Sequence, residues 1–171
     1  MVSASEAITP TNMFRQVHAN VYNLINDRNN VPLPSGLPTG HKFVYTREPN
    51  YEATNFNGFP CITIPDPEYT QGGKVASATK AMTTDIIQII VMTQDKKSDS
   101  SGDPFGREQM ADICNSIIST LNNLTNSATL RRNGLSNKDF PSVPIEWPEI
   151  DGKPTFRREF SLRFRQMRRI A

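Results

Sequence analysis

Apolar residues recur near the start of the chain at Phe14, Val17, Val21, Leu24 and Ile25, the spacing of one buried helical stripe. Thr9 or Thr11 can cap this helix, with Pro10 at a first position whose amide needs no partner. Asn29-Asn30 and prolines 32, 34 and 38 end it. Residues 42–48 and 59–64 then read as two strands joined as a hairpin, because the connection ends in the turn signal Asn57-Gly58. Pro60 puts the start of the second strand at an edge, and Pro65-Asp66-Pro67 stops it. A polar loop over 66–80, with Gly72-Gly73, leads into Met82–Thr93, the most apolar strand and the expected centre of the sheet. Gln94–Asp103 is a hydrophilic connector. Asp103-Pro104 opens a second helix with the stripe Met110, Ile113, Cys114, Ile117, Leu121 and Leu124. In the last strand Phe156, Phe160, Leu162 and Phe164 alternate with Arg157, Glu159, Ser161, Arg163 and Arg165, and Arg158 is the one exception on the apolar side.

This order, α-β-β-β-α-β, predicts an α+β domain: a four-stranded, mainly antiparallel sheet with two helices packed on one face, long loops, and the other face left for a neighbour. The 171 residues suffice for one domain, 1–171, with a structured core over about 11–168. A hydrophobic fraction of 36%, with 13 Pro and 9 Gly scattered without period, excludes collagen-like and low-complexity classes and leaves much of the chain as loop.

The net charge of +2 conceals an asymmetry. From Lys153 onward seven basic residues face one acid, Glu159, for a charge of +6, and residues 1–152 carry −4. Such a bipolar molecule can stack head to tail or turn one face toward nucleic acid. Cys61 and Cys114 lie in apolar patterns and read as buried thiols rather than a bridge. No signal peptide or membrane-length apolar run is visible, which predicts a soluble protein made in a cytoplasm.

Catalytic constellations are missing from the pattern. His18 flanks the first helical stripe and reads as structural; His41 has no ligand spacing around it. Gly72-Gly73-Lys74 echoes a phosphate loop but precedes a strand, so no helix end backs it. The carboxylate pairs Asp66/Glu68, Asp99/Asp103 and Glu149/Asp151 sit in polar loops where solvation is the default. The expectation is a non-enzyme with no cofactor and no metal. Of the surface features, the arginine strand stands out: Arg157, Glu159, Arg163, Arg165 and Arg168 read as a subunit or partner interface, against the plain alternative of a solvated, aggregation-resistant sheet face.

The leading helix is followed by a hairpin whose second strand carries Phe59-Pro60-Cys61-Ile62-Thr63-Ile64, then by a long polar loop and the strand Asp85-Ile86-Ile87-Gln88-Ile89-Ile90-Val91. A helix with Ala111, Ile113, Ile117 and Leu121 and a final alternating strand complete the pattern. Over most of residues 11–168 this layout resembles the tail terminator (tail completion) proteins of tailed bacteriophages. The resemblance implies a virion protein, assembled in the bacterial host cytoplasm, that forms a usually hexameric ring on the end of the tail tube. Such a ring stops tube polymerisation and offers a docking surface to the neck. Implied partners are further copies of the chain, the tube protein, a neck or head-completion protein, and DNA passing through the lumen without sequence-specific contact. The polar loops then become the tail- or neck-facing elements, with Glu68, Tyr69, Lys74, Lys80, Lys96, Lys97 and Asp99 as their candidate residues. The Pro-rich segments 29–41 and 140–154 depart from the pattern and leave room for a head–tail joining or other neck protein. A basic nucleic-acid-binding module is the remaining alternative.

Overall fold

The computed structural model describes residues 13–37, 40–66, 74–77, 80–95, 106–140 and 145–169. Its elements run α1 (Met13–Asn26), β1 (Val44–Tyr45), β2 (Cys61–Thr63), β3 (Lys74–Ser77), β4 (Lys80–Gln94), α2 (Gly106–Asn122), α3 (Leu124–Arg132), β5 (Leu135–Asp139), β6 (Ile145–Ile150) and β7 (Lys153–Arg169). The class is α+β, as the pattern predicts. The element count is larger: three helices and seven strands among the described residues, not two and four.

The seven strands occupy five positions across one sheet. β4 and β7 form the spine, paired antiparallel without interruption from Lys80↔Arg169 to Gln94↔Thr155. On the far side of β4, β2 pairs near one end and β3 near the other; on the far side of β7, β6 and β5 divide the length in the same way. β1 lies outside β2.

The expected hairpin is a correction. β1 and β2 are parallel, with Val44 opposite Ile62 and Tyr45 opposite Thr63. The connection over 46–60 is long enough for a crossover, and it brings its own apolar residues to bury (below). The loop expected over 66–80 is also corrected, since Lys74–Ser77 pairs with the start of β4 as strand β3. Within 140–154, residues 145–150 form strand β6. Pro148 is tolerated there because β6 pairs only with β7 and its register shifts between Trp147 and Ile150.

Pleat parity puts Val44, Ile62, Ile87, Ile89, Val91, Phe156, Phe160, Leu162 and Phe164 on the inner face. All are buried in one core with Val17, Val21 and Ile25 of α1, Met110, Ile113, Cys114, Ile117 and Leu121 of α2, and Leu130 of α3. The helices thus back one side of the sheet. Leu124, counted in the predicted stripe of α2, is instead exposed at the start of α3. Asn123 breaks the long helix by capping a new one, its side-chain oxygen accepting from the amides of Thr125 at 3.0 Å and Asn126 at 3.4 Å.

Both ends of α2 are tied to the sheet. Asp95, just past β4, accepts from the Gly106 amide at 2.7 Å, and Thr93 donates to the Gly106 carbonyl at 2.7 Å. A Cβ on Gly106 would lie 2.8 Å from the Gln94 carbonyl carbon, so only glycine permits this approach. At the other end Lys138 of β5 donates to the Leu121 carbonyl at 2.9 Å and to the Asn122 side chain at 2.8 Å. A carboxylate at the helix start and an ammonium at its end both oppose the macrodipole. The expected cap, Asp103, lies outside the described residues.

Candidate interaction surface

The outer face carries Cys61, Thr63, Ile86, Gln88, Ile90 and Met92 beside Arg157, Glu159, Ser161, Arg163 and Arg165, brought into rows by the β2–β4–β7 register. The 46–60 crossover divides it into two halves of opposite character. Over one half Tyr51, Phe56 and Phe59 pack on Tyr45, Cys61, Ile90 and Met92. Phe56 meets Tyr51 and Phe59 edge-on at 5.4 and 5.1 Å between ring centroids, and Tyr51 stacks on Phe59 at 5.5 Å. Over the other half Gln88, Arg163 and Arg165 are exposed and Ile86 and Ser161 half-buried, with exposed Asn137 opposite Arg163.

Arg157 belongs to the covered half. It is 8% exposed; its guanidinium donates at 2.6 Å to Glu48 of the crossover and at 2.6 Å to Glu159 on its own strand. Burial alone would lower the Arg157 pKa, but the hydrogen bonds and charges of Glu159 and Glu48 outweigh it and hold it above the ordinary value. Arg157 and Glu159, expected at a partner interface, are therefore engaged inside the chain, clamping the crossover to β7. Arg163 and Arg165 are presented on the surface, and Arg168 continues β7 opposite Ala81. Of the expected loop residues, Lys74 and Lys80 lie in β3 and β4, a correction; Glu68, Tyr69, Lys96, Lys97 and Asp99 lie outside the described residues.

Two cations absent from the expected set, Arg131 and Arg132, are exposed in the last turn of α3. Their signal was Arg-Arg-Asn-Gly, a basic last turn followed by a glycine stop.

The histidines are structural. His18 Nε2 donates to the Ile64 carbonyl at 2.9 Å and His41 Nε2 to the Pro60 carbonyl at 3.2 Å, and both rings are buried. Among the described residues no three His, Cys, Asp or Glu side chains converge as a metal set, and no helix is long and apolar enough to cross a membrane. Both cysteines are buried and unbridged.

Burial, with the Glu48 charge behind it, pushes the Cys61 thiol up to about 12. Burial pushes Cys114 up to about 11, against the opposing pull of Arg158, and raises Tyr45 and Tyr51. An unfolded chain ionises such thiols near 9.0, so the folded state binds more protons from there upward. Stability from this source is complete below pH 9.0 and is lost as pH climbs toward 12. Denaturant midpoints should fall steadily across that window, and iodoacetamide should leave both thiols unmodified in the native protein at pH 8. A midpoint that stays level or rises would contradict the burial of these groups.

No protein-family model matches the chain, and no curated protein matches it in sequence.

Proposed function

We propose that the chain is a structural virion protein that forms a ring at the end of a phage tail tube, stops tube polymerisation and offers the docking surface for the head or neck. The observation that carries this reading is the one-sided fold. All three helices contribute to the core on the inner face, while on the outer face around Gln88, Arg163 and Arg165 the exposed residues, among those whose side chains are described, are polar or charged, and none of the described helices packs there. The β4–β7 spine of 15 paired residues is about 50 Å long at the usual rise per residue, ample for contacts to neighbours at both ends. Nothing in the reading requires a catalytic step. The partners are further copies of this chain, the tube subunit and a neck or head-completion protein.

Mass photometry over a concentration series tests it. A closed ring of six 19.2 kDa copies would weigh about 115 kDa. Arg163→Glu with Arg165→Glu should reduce ring yield severalfold while moving the unfolding free energy by no more than about 0.5 kcal/mol, since both side chains are exposed. A single 19.2 kDa species at every concentration, in a preparation that also fails to arrest tube growth, would remove the proposal.

A further inference from the structure

Asn-Gly occurs twice in the chain, at Asn57-Gly58 and at Asn133-Gly134. A glycine after a labile asparagine leaves its backbone nitrogen unhindered, so that nitrogen can attack the side-chain amide and deamidate the residue. The fold treats the two pairs differently. Asn57 is exposed in the 46–60 crossover, outside any helix or strand. Among the described residues none accepts a hydrogen bond from the Gly58 amide, and a Cβ at Gly58 would meet nothing within 4 Å. That nitrogen is free and the space around it open. At the other pair Asn133 is half-buried at the end of α3, its own amide donating to the Thr129 carbonyl at 3.1 Å. The Gly134 amide donates to the Arg131 carbonyl at 3.0 Å, and the Gly134 carbonyl accepts from the Arg165 amide at 2.8 Å. Here the nitrogen is occupied, and the turn is pinned to both helix and sheet.

We propose that Asn57 is a site of spontaneous covalent modification, deamidating in the folded protein and loosening the aromatic cover over Cys61, while Asn133 is protected. The Gly58 nitrogen gives up its proton to the solvent and attacks Asn57 Cγ. A new C–N bond forms as the bond to the side-chain nitrogen breaks, and that nitrogen takes a proton back from the solvent and leaves as ammonia. The cyclic imide then takes up water, which opens it at either carbonyl to aspartate or to isoaspartate. Water is the only co-reactant. Either product adds a carboxylate, and isoaspartate also routes the main chain through Cβ, lengthening the backbone between Phe56 and Phe59. Those two rings meet edge-on at 5.1 Å and, with Tyr51, pack over Cys61, Ile90 and Met92. A longer link between them opens the cover, and buried Cys61 becomes reachable. Cys114 lies in the core on the inner face and stays closed.

The test is an ageing series on the full chain at pH 8, read by peptide mass spectrometry, and neither the reaction nor its readout depends on ring formation. Asn57 should convert steadily. Asn133 should convert roughly tenfold more slowly or less, since it must wait for local opening of the α3–β5 turn. In urea, where both pairs are equally free, the two rates should come together. Iodoacetamide added at intervals should label Cys61 in step with isoaspartate formation and leave Cys114 untouched. Asn57→Gln alters an exposed residue, and its longer side chain cyclises far more slowly. That variant should fold normally by circular dichroism and lose the rise in Cys61 labelling. Native Asn57 that stays intact while the urea-treated chain converts would overturn the proposal, as would equal native rates at Asn57 and Asn133. Modified protein whose Cys61 reacts no faster than that of fresh protein would overturn the opening of the cover.

Discussion

Gly134→Ala is expected to destabilise the fold by about 3 kcal/mol, a fall in melting temperature of roughly 6–12 °C for a domain of this size. Gly134 has φ +95°, where an L side chain costs about 1–2 kcal/mol. An added Cβ would also press on the Arg165 carbonyl oxygen, closer than any van der Waals contact, and that atom belongs to backbone fixed in the β4–β7 ladder. The α3–β5 turn would have to move away, stretching the 2.8 Å bond between the Gly134 carbonyl and the Arg165 amide, worth about 1 kcal/mol more. Gly58 supplies the control. Its φ of +92° is nearly the same, but a Cβ there meets nothing within 4 Å, so Gly58→Ala should cost only the conformational term, about 1–2 kcal/mol. Urea denaturation of the two variants separates strain from collision. Equal losses would mean that the close approach of α3 to β7 does not exist in solution.

The parts of the fold that were legible in sequence are those whose burial is one-sided and regular. Val17, Val21 and Ile25 mark one stripe on α1, and Phe156, Phe160, Leu162 and Phe164 one face of β7, because each element meets the core along a single line. The parts that were not legible depend on neighbours. β3, Lys-Val-Ala-Ser, has almost no apolar pattern and becomes a strand because the start of β4 pairs with it. β5 has a register shift between Leu135 and Asn137 that spoils any alternation, and Lys138 faces inward to cap α2. Asp151-Gly152 does carry a hairpin signal, with both residues at positive φ between paired Ile150 and Lys153, but Pro148 and Pro154 obscure it.

The candidate surface shows the same division. Alternation correctly groups Arg157, Glu159, Arg163 and Arg165 on one face of β7, yet it treats that face as uniform. What splits it is the 46–60 crossover, whose landing place depends on the parallel pairing of β1 with β2. Asn57-Gly58 argued for a hairpin. Tyr51, Phe56 and Phe59, half-buried against Tyr45, Cys61, Ile90 and Met92, give the longer crossover an apolar cluster of its own to cover. Once the segment crosses there, Glu48 arrives beside Arg157, and the strand has an internal clamp at one end and an open cationic surface at the other.

Phe160→Ala should be the most damaging single change in the sheet, costing about 3–5 kcal/mol. Phe160 is fully buried opposite Ile89 on the spine and meets Phe140 edge-on at 5.6 Å. The Arg158 guanidinium lies 5.3 Å from its ring centroid, which accounts for the one basic residue on the apolar side of β7: its charge rests on an aromatic face. Removing the ring deletes all of these contacts, and the paired β4–β7 backbone is too constrained to collapse into the space. Phe160→Leu, which keeps most of the volume, should cost distinctly less. The location also separates stability from function, because Ser161 and Glu159 on either side of Phe160 belong to the outer face while Phe160 does not. At temperatures where the alanine variant is still folded, its ring yield should match that of the parent, whereas Arg163→Glu with Arg165→Glu should show the reverse pattern. A Phe160→Ala protein that melts normally, or one that is folded but fails to assemble, would break the assignment of the two faces to core and docking surface.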